Sequence, residues 1–492
     1  MFRKKMSDEK GVNFMISKTI YQKITLDIIK ELEKIVGSKY VILDKEKLEE
    51  FSHDEVTDKR YQHMPDVVVN PANALEISAI IKLANEKKIP VVPRGAGTGL
   101  SGGAVPMYGG IVLLTERLNR IIEVNSDYLY MVVEPGVRTV DVQRTANEKN
   151  LLYAGDPCSS DSCFIGGNIA TNAGGNRAVR YGTTRAQVYA IEIVTPTGEI
   201  VTLGSLNKKN STGYCLDQLV MGSEGTLGII TKAWLKLVPL RNVKMDLLGI
   251  FPSGKTAIAA VMDILKANID PVSLEFMDNL AIRVVANYLK EKLPHQDNGT
   301  YLIITVDGDN EDELDDKIIK VDEICRSHDA VETMTPESKK IWKIRKSVEE
   351  GNREISFVHI SEDTVVPLKA LPETMEKIPQ ICAKYHAIGH LICHAGDGNM
   401  HLAVLQGDIP IEKWPETVDK IMEEVYDFIY NVGGLMSGEH GIGVKRLKWM
   451  GKYTNPIQLN MMRAIKKALD PNLILNPGTI FDYDIGGGYE ND

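Results

Sequence analysis

The stretch that most constrains this chain is VVPRGAGTGLSGGAVPMYGG, residues 91–110. Within it Gly97, Gly99 and Gly102 spell G-x-G-x-x-G, and Glu116 follows an apolar run, as in a dinucleotide-binding Rossmann turn. A Rossmann turn needs its third glycine to open a helix whose N-terminus faces the pyrophosphate. No helix fits here. Gly103, Pro106, Gly109 and Gly110 follow, and interior glycine and proline cost a helix roughly 1 and 3 kcal/mol each relative to alanine. The segment reads instead as a long glycine-rich loop between two apolar strands, residues 90–92 and 111–114. Such a loop can bring successive backbone N–H groups against phosphate oxygens, with Arg94 supplying charge. A plain mobile surface loop is the alternative reading.

At 492 residues the chain exceeds one ordinary core, so at least two domains are expected. The net charge is -10 and lysine and arginine are scattered, which speaks against nucleic acid as the main partner. No apolar run reaches the length of a membrane span. The first residues are basic but lack the apolar core of an export signal, so 1–15 reads as a disordered lead-in. Cys158, Cys163, Cys215, Cys325, Cys382 and Cys393 form no C-x-x-C pair, hence no iron-sulfur or zinc-ribbon signature. A reduced cytoplasm is the expected location, with peripheral membrane association left open.

Residues 22–36 repeat apolar positions at helical spacing and stop at a glycine. From Pro65 the order is strand, turn, helix, strand, with Asn73 as N-cap and Leu75, Ile77, Ile80, Ile81 and Leu83 along one side of the helix. Thr197-Gly198, between two alternating runs, predicts a hairpin. Near Arg241 the glycine-rich texture gives way to helices alternating with strands, an α+β pattern suggesting an antiparallel sheet covered on one face. The expected division is 16–240 with a core at 65–240, then 241–435, then a C-terminal segment 436–492 that returns to the first domain.

Two further glycine clusters follow the first loop: CFIGGNIATNAGGNRAVRYG, residues 163–182, and GSEGTLGIIT, residues 222–231. Taken with PRGAGTGLSGG and EPGV, in this order and spacing, they resemble the FAD-binding domain of the vanillyl-alcohol-oxidase-type (PCMH) flavoproteins. More closely, the chain is similar to the FAD-linked D-2-hydroxyacid dehydrogenases, including glycolate oxidase catalytic subunits and D-lactate dehydrogenases, from about Pro65 to Phe481. The resemblance implies an FAD pyrophosphate held by Pro93, Arg94, Gly95, Ala96, Gly97, Thr98, Gly99, Leu100, Ser101 and Gly102. It also implies further cofactor contacts from Pro135 and Gly136, from Ile165, Gly166, Gly167, Asn168, Ala170, Thr171, Asn172, Gly174 and Gly175, and from Glu224, Gly225, Gly228, Ile230 and Asn476. Members that attach FAD covalently often carry histidine where this chain has Thr98, so a non-covalent flavin is expected.

The second half carries the candidate chemistry. In LICHAGDGNMHLAVL the pair Asp397-Gly398 is a strong two-residue hairpin turn. Counting outward pairs Gly396 with Asn399, Ala395 with Met400 and His394 with His401, so two imidazoles can converge on one metal ion or simply stack in a core. His390, further along the same face, is a fallback ligand. In SGEHGIGVKR the adjacent Glu439 and His440 can divide the work, one binding metal and the other staying free as a base.

By resemblance to the family motifs H-x-G-D-G-N-x-H and G-E-H-G, His394, His401 and Glu439 match metal ligands for one divalent ion (zinc, manganese or iron) and His440 the catalytic base. Arg345, in a W-x-x-R pattern with Trp342, matches the fork for the substrate carboxylate, and Asn399 a second substrate contact. Glu349 stands where some dicarboxylate-using relatives carry a neutral side chain, so 2-hydroxyglutarate is disfavoured and D-lactate or glycolate expected. The reaction implied is oxidation of a small D-2-hydroxy acid to its 2-oxo acid, with hydride to the flavin N5. Electrons then leave to an external acceptor: a quinone, an iron-sulfur subunit or an electron-transfer flavoprotein. A homodimer is left open. The competing readings are a non-catalytic flavin-and-metal-binding subunit and a metal-independent alcohol oxidase of the same fold.

Overall fold

The structure is a computed structural model and describes residues 20–482. The lead-in expected over 1–15 lies outside the described residues. The helix Leu26–Val36 turns Ile28, Leu32 and Val36 inward and ends at Gly37. Asn73 caps Ala74–Lys87 by accepting from the Glu76 N–H at 3.0 Å. Ile77, Ile80 and Ile81 are buried along that helix, whereas Leu75 is exposed. At 100° per residue Leu75 falls on the face opposite Ile77, outside the apolar stripe.

Two sheets surround the glycine-rich loop. In the first, the strands run in the order Val41–Ile42, Val67–Val69, Ile111–Leu114, Val91–Arg94, and the third is parallel to both its neighbours. The strand expected over 90–92 thus extends to Arg94, which pairs with Leu114. The second sheet is antiparallel: Ile121–Asn125, Tyr130–Val133, Ile229–Lys236, Val188–Val194, Ile200–Gly204. Its last two strands form the expected hairpin, with Val194 opposite Ile200 and the turn spread over residues 195–199.

The third sheet, antiparallel and seven-stranded, follows the order Glu332–Met334, Val243–Phe251, Thr300–Gly308, Ser273–Met277, Ile388–His394, Asn399–Leu405, His359–Val365. It is covered on both faces, not one. Leu247, Phe276, Ile304 and Leu402 pack with the helices Gly254–Lys266, Glu311–Ser327 and Leu371–Lys384. Leu248, Ile250 and Ile303 pack with Asn279–Leu289 and Ser338–Lys346 on the other side. Every residue of Thr300–Gly308 is buried, in keeping with its apolar stretch Tyr301–Ile304 and the absence of an alternating polar face there.

The C-terminal helix Pro456–Leu469 leads back to the first sheet, where Leu475 bridges Val91 and the Val91 N–H donates to Ile474 O at 2.8 Å. One buried lysine fastens this return. Lys466 Nζ donates to Asp470 Oδ2 at 2.7 Å, Thr226 O at 2.7 Å and Leu475 O at 2.6 Å, and both charged side chains are inaccessible to solvent. Lys466→Met leaves the Asp470 carboxylate buried without its cation, so it is expected to cost about 3 kcal/mol or more. Scanning calorimetry checks this, and an unchanged melting temperature would contradict it.

Candidate functional site

The glycine-rich loop forms one wall of a cleft of about 1320 Å³, part of it open to solvent. Residues 93–101, Pro135, Gly166, Gly167, Asn168, Ala170, Thr171, Glu224, Gly225, Gly228 and Ile230 line it, as do Cys158, Cys163, Glu439 and His440. Gly102, Gly136, Ile165, Asn172, Gly174, Gly175 and Asn476 are not on its surface. They shape the walls from behind. Asn172 closes the short helix Ile165–Thr171 in a left-handed conformation, and Asn476 Nδ2 donates to Gly103 O and Glu224 O at 2.9 and 2.6 Å.

The loop is built around Arg94. Its Nη1 donates to His53 O at 2.7 Å, and the guanidinium lies so close under Gly97 that a Cβ there would stand 2.2 Å from Nη2. With φ at 75°, Gly97 is the one residue type this crossing accepts. Among the described residues, the backbone N–H groups of 96–101 find no protein acceptor. Six orphaned amides beside a buried guanidinium fit a bound phosphate.

The hairpin differs in register from the expected one. His394 lies opposite Asn399, Cys393 opposite Met400 and Ile392 opposite His401, so the turn spans residues 395–398. The cause is tertiary: the Ala395 N–H donates to Leu274 O at 2.8 Å, and those of Asp397 and Gly398 fold back on His394 O. The shift is two residues in the pairing sum, so both histidines keep the same face as diagonal neighbours. Their rings meet edge to face with centroids 5.1 Å apart.

Glu439 closes the cluster. Its Oε1 lies 3.4 Å from His394 Nε2, 3.2 Å from His401 Nε2 and 3.8 Å from His440 Nε2. Both Nε2 atoms of the hairpin histidines are buried and lack a hydrogen-bond partner. Burial opposes charge on His394, but Glu275 and Glu439 outweigh it and hold its pKa well above the usual imidazole value. Burial likewise opposes ionisation of Glu439, yet His394 and His401 hold it well below the carboxylate range. Two orphaned imidazole nitrogens converging on an ionised carboxylate form a site that draws positive charge, and that donor set fits a divalent ion with positions to spare for substrate. His440 differs. Burial holds it at about 4 against the pull of Asp363, leaving a neutral imidazole on the cleft wall.

Two carboxylates of this cluster escaped the sequence reading. Glu275, fully buried on Ser273–Met277, accepts from His394 Nδ1 at 2.6 Å and from Arg345 Nε at 3.0 Å. Asp363, equally buried on His359–Val365, accepts with Oδ2 from the backbone N–H groups of Gly438, Glu439 and His440. For Glu275 the available signal was an acid inside an otherwise core-like strand, since such a charge is rarely buried without a partner; Asp363, next to Glu362 in HISEDTV, carried no such signal. Arg345 Nη2 lies 2.8 Å from the same Glu275 oxygen without the alignment of a hydrogen bond, so this face of the guanidinium retains donor capacity.

Three expectations change. Asn399 Nδ2 is spent on Asp363 Oδ1 and Thr364 O, so Asn399 braces the carboxylate under the Glu439-His440 loop. His390 bonds Asn352 Oδ1 at 2.6 Å and takes no part in the cluster. Glu349 faces a smaller neighbouring cleft, where His359, Ser361 and Arg353 compensate it; despite burial its pKa is held down to about 2. It therefore gives no ground for rejecting a dicarboxylate, because its charge does not face the main cleft.

A family model described as an FAD binding domain matches residues 65–204, and one described as the C-terminal domain of FAD linked oxidases matches residues 243–480. A D-lactate dehydrogenase of Anaerostipes hadrus is 36% identical over 469 residues, covering 94% of this chain and 98% of its own. The chain belongs to the FAD-linked D-lactate dehydrogenase and glycolate oxidase family. Glycolate oxidase subunit GlcD of Bacillus subtilis is 37% identical over 429 residues, 86% of this chain and 91% of its own. Among solved structures, p-cresol methylhydroxylase superposes with a TM-score of 0.78 at 18% identity, covering 96% of this chain and 100% of that one. That likeness establishes the vanillyl-alcohol-oxidase-type α+β fold. The chain is thus an FAD-linked oxidoreductase of this family, and its cofactor is FAD. Among the described residues no helix is long and apolar enough to cross a membrane.

Proposed function

We propose that this family member oxidises a short D-2-hydroxy acid, D-lactate foremost, to the 2-oxo acid. His394, His401 and Glu439 would hold a divalent ion, His440 would act as the base, and an external protein would accept the electrons. The observation that carries this reading is the convergence of two orphaned Nε2 atoms on Glu439 Oε1 beside a neutral His440 on the cleft wall. When bound, FAD takes up the hydride and the ion polarises the substrate hydroxyl. His440 receives the hydroxyl proton at a ring nitrogen, its Nδ1 being buried and without a partner. Arg345 offers its free N–H groups to the substrate carboxylate, while Glu275 fixes both Arg345 and His394.

The likeness to the D-lactate dehydrogenase over 98% of that protein's length favours lactate, with glycolate as the second reading because of the GlcD subunit.

The test is anaerobic addition of D-lactate, L-lactate, glycolate and D-2-hydroxyglutarate to the yellow protein. Bleaching of the flavin band by D-lactate in preference to the others is expected. Bleaching by none, even after supplying zinc, manganese or ferrous ion, would sink the assignment. Non-covalent attachment makes a separate prediction: acid precipitation is expected to release all the FAD to the supernatant. A yellow pellet would show a covalent bond despite Thr98.

A further inference from the structure

We propose that Glu224 is a positioning residue through which FAD binding assembles the loop carrying Glu439 and His440, so that cofactor and metal ion bind cooperatively. The proposal rests on the metal-site reading given above. Its ground is where the backbone N–H groups of residues 438–445 go.

Three of the eight, those of Gly438, Glu439 and His440, donate to Asp363 Oδ2 at 3.0, 3.0 and 2.9 Å. Ser437 Oγ donates to the same oxygen and accepts from the Gly441 N–H at 3.0 Å. The anchoring then passes to the cofactor side. Glu224 accepts from Ile442 and Gly443, both at 2.7 Å, and Ser101 O accepts from Val444 and Lys445, both at 3.0 Å. One half of the loop therefore hangs from the seven-stranded sheet and the other half from the walls of the FAD cleft.

Asp363 is fixed by its own strand and by Asn399. Glu224 depends on backbone that borders the cofactor. It holds a left-handed φ of 51°, a conformation costly for a residue with a side chain. Two contacts keep it there: its N–H donates to Ala170 O at 2.7 Å, and Asn476 Nδ2 donates to its carbonyl at 2.6 Å. Ser101, Ala170, Glu224 and Gly225 all line the cleft, so a ligand filling the cleft bears on the backbone that anchors residues 442–445. Glu439 lies close over Gly174, where an added Cβ would stand 2.4 Å from its Oε2. Whatever ordering FAD brings to these walls is passed two and three residues back along the chain to His440 and Glu439. Linkage makes the effect reciprocal, so the ion must strengthen FAD binding by the same factor.

Manganese(II) titration of FAD-loaded and FAD-free protein, with free ion counted by electron paramagnetic resonance, tests this without reference to turnover. The FAD-loaded wild type is expected to bind the ion about tenfold more tightly, within the usual range of coupling between sites. Glu224→Gln can accept from one of the two N–H groups but turns its own amide donor toward the other. Its loaded-to-free ratio is expected to fall below about twofold, whatever the change in the FAD-free affinity itself. Glu224→Asp keeps the charge but is too short to reach both amides, and its ratio should fall as well; it serves if the Gln variant does not fold. Equal affinities in the two forms of the wild type, or an undiminished ratio in the variants, would overturn the coupling. A merely structural role belongs to this second case, because general loosening weakens both forms alike. Absence of binding by either form would overturn the metal site itself and the coupling with it.

Discussion

Replacing His440 by alanine is expected to slow D-lactate-driven bleaching of the flavin by roughly 10²- to 10⁴-fold, the contribution of a positioned general base. The expectation follows from three features of the residue. Burial keeps its pKa at about 4, so at neutral pH the ring is unprotonated and able to accept a proton. Its backbone N–H is tied to Asp363 at 2.9 Å and its ring stacks on His401 with centroids 5.2 Å apart, so the ring's position is fixed. Its Nδ1 is buried without a partner, a cost that a proton acceptor at work recovers. Glu439 Oε1 is closer to both hairpin histidines than to His440 Nε2, so the three-ligand set can form without the His440 ring. Stopped-flow bleaching with flavin and metal contents measured in parallel therefore separates the roles. A variant that keeps both contents and loses the rate supports the base. A rate within about tenfold of wild type would shift the role to another group, His401 being the nearest imidazole.

The sequence was most informative where a segment's structure is settled locally. The strand Ile111–Leu114 has the bounds that its apolar run suggests, and the Asn73 cap is a short-range hydrogen bond with a short-range signature. The helix Ile165–Thr171 was illegible for the opposite reason. Gly166 and Gly167 disfavour a helix by propensity, but the former lets it lie against Pro135, where a Cβ would come within 2.5 Å of the proline ring. Packing against a turn distant in sequence overrides the local preference.

The site divides along the same line. His394, His401, Glu439 and His440 stand in compact motifs and are brought together by the fold. The carboxylates that orient them lie far off in the chain: Glu275 is 119 residues before His394, and Asp363 is 77 residues before His440. Glu275 sits singly in a strand that otherwise reads as core, whereas Asp363 stands beside Glu362 in the polar run HISEDTV, and neither spacing nor periodicity points to either partner. The hairpin register failed for a related reason, because turn chemistry weighs Asp397-Gly398 alone while the structure commits the Ala395 N–H to Leu274. Preservation of the shared histidine face was legible only in part: any even shift would have kept it, and an odd one would have destroyed it.

Stripping the divalent ion with a chelator is expected to leave the protein yellow while lowering D-lactate-driven bleaching by roughly 10³-fold, the rate equivalent of several kcal/mol of lost charge stabilisation. FAD should remain, though held about tenfold less tightly if the coupling through Glu224 holds, because the amides of residues 96–101 and the Arg94 guanidinium still hold it without the ion. Activity should return on adding back the ion. The supporting carboxylate gives a sharper version of the experiment. Glu275→Gln keeps the volume of the side chain but removes the charge that orients His394 through Nδ1, so metal affinity is expected to fall 10- to 100-fold, as roughly observed when such supporting groups are lost. The same substitution frees Arg345 from the Glu275 carboxylate, at 2.8 Å, so its effect on apparent substrate affinity is separate from the effect on the metal. Saturating ion should then restore the metal-dependent part of the rate and leave any change in substrate affinity behind. If chelated protein bleaches as fast as the untreated protein, the three ligands have a structural task only, and the reaction proceeds with His440 and Arg345 alone.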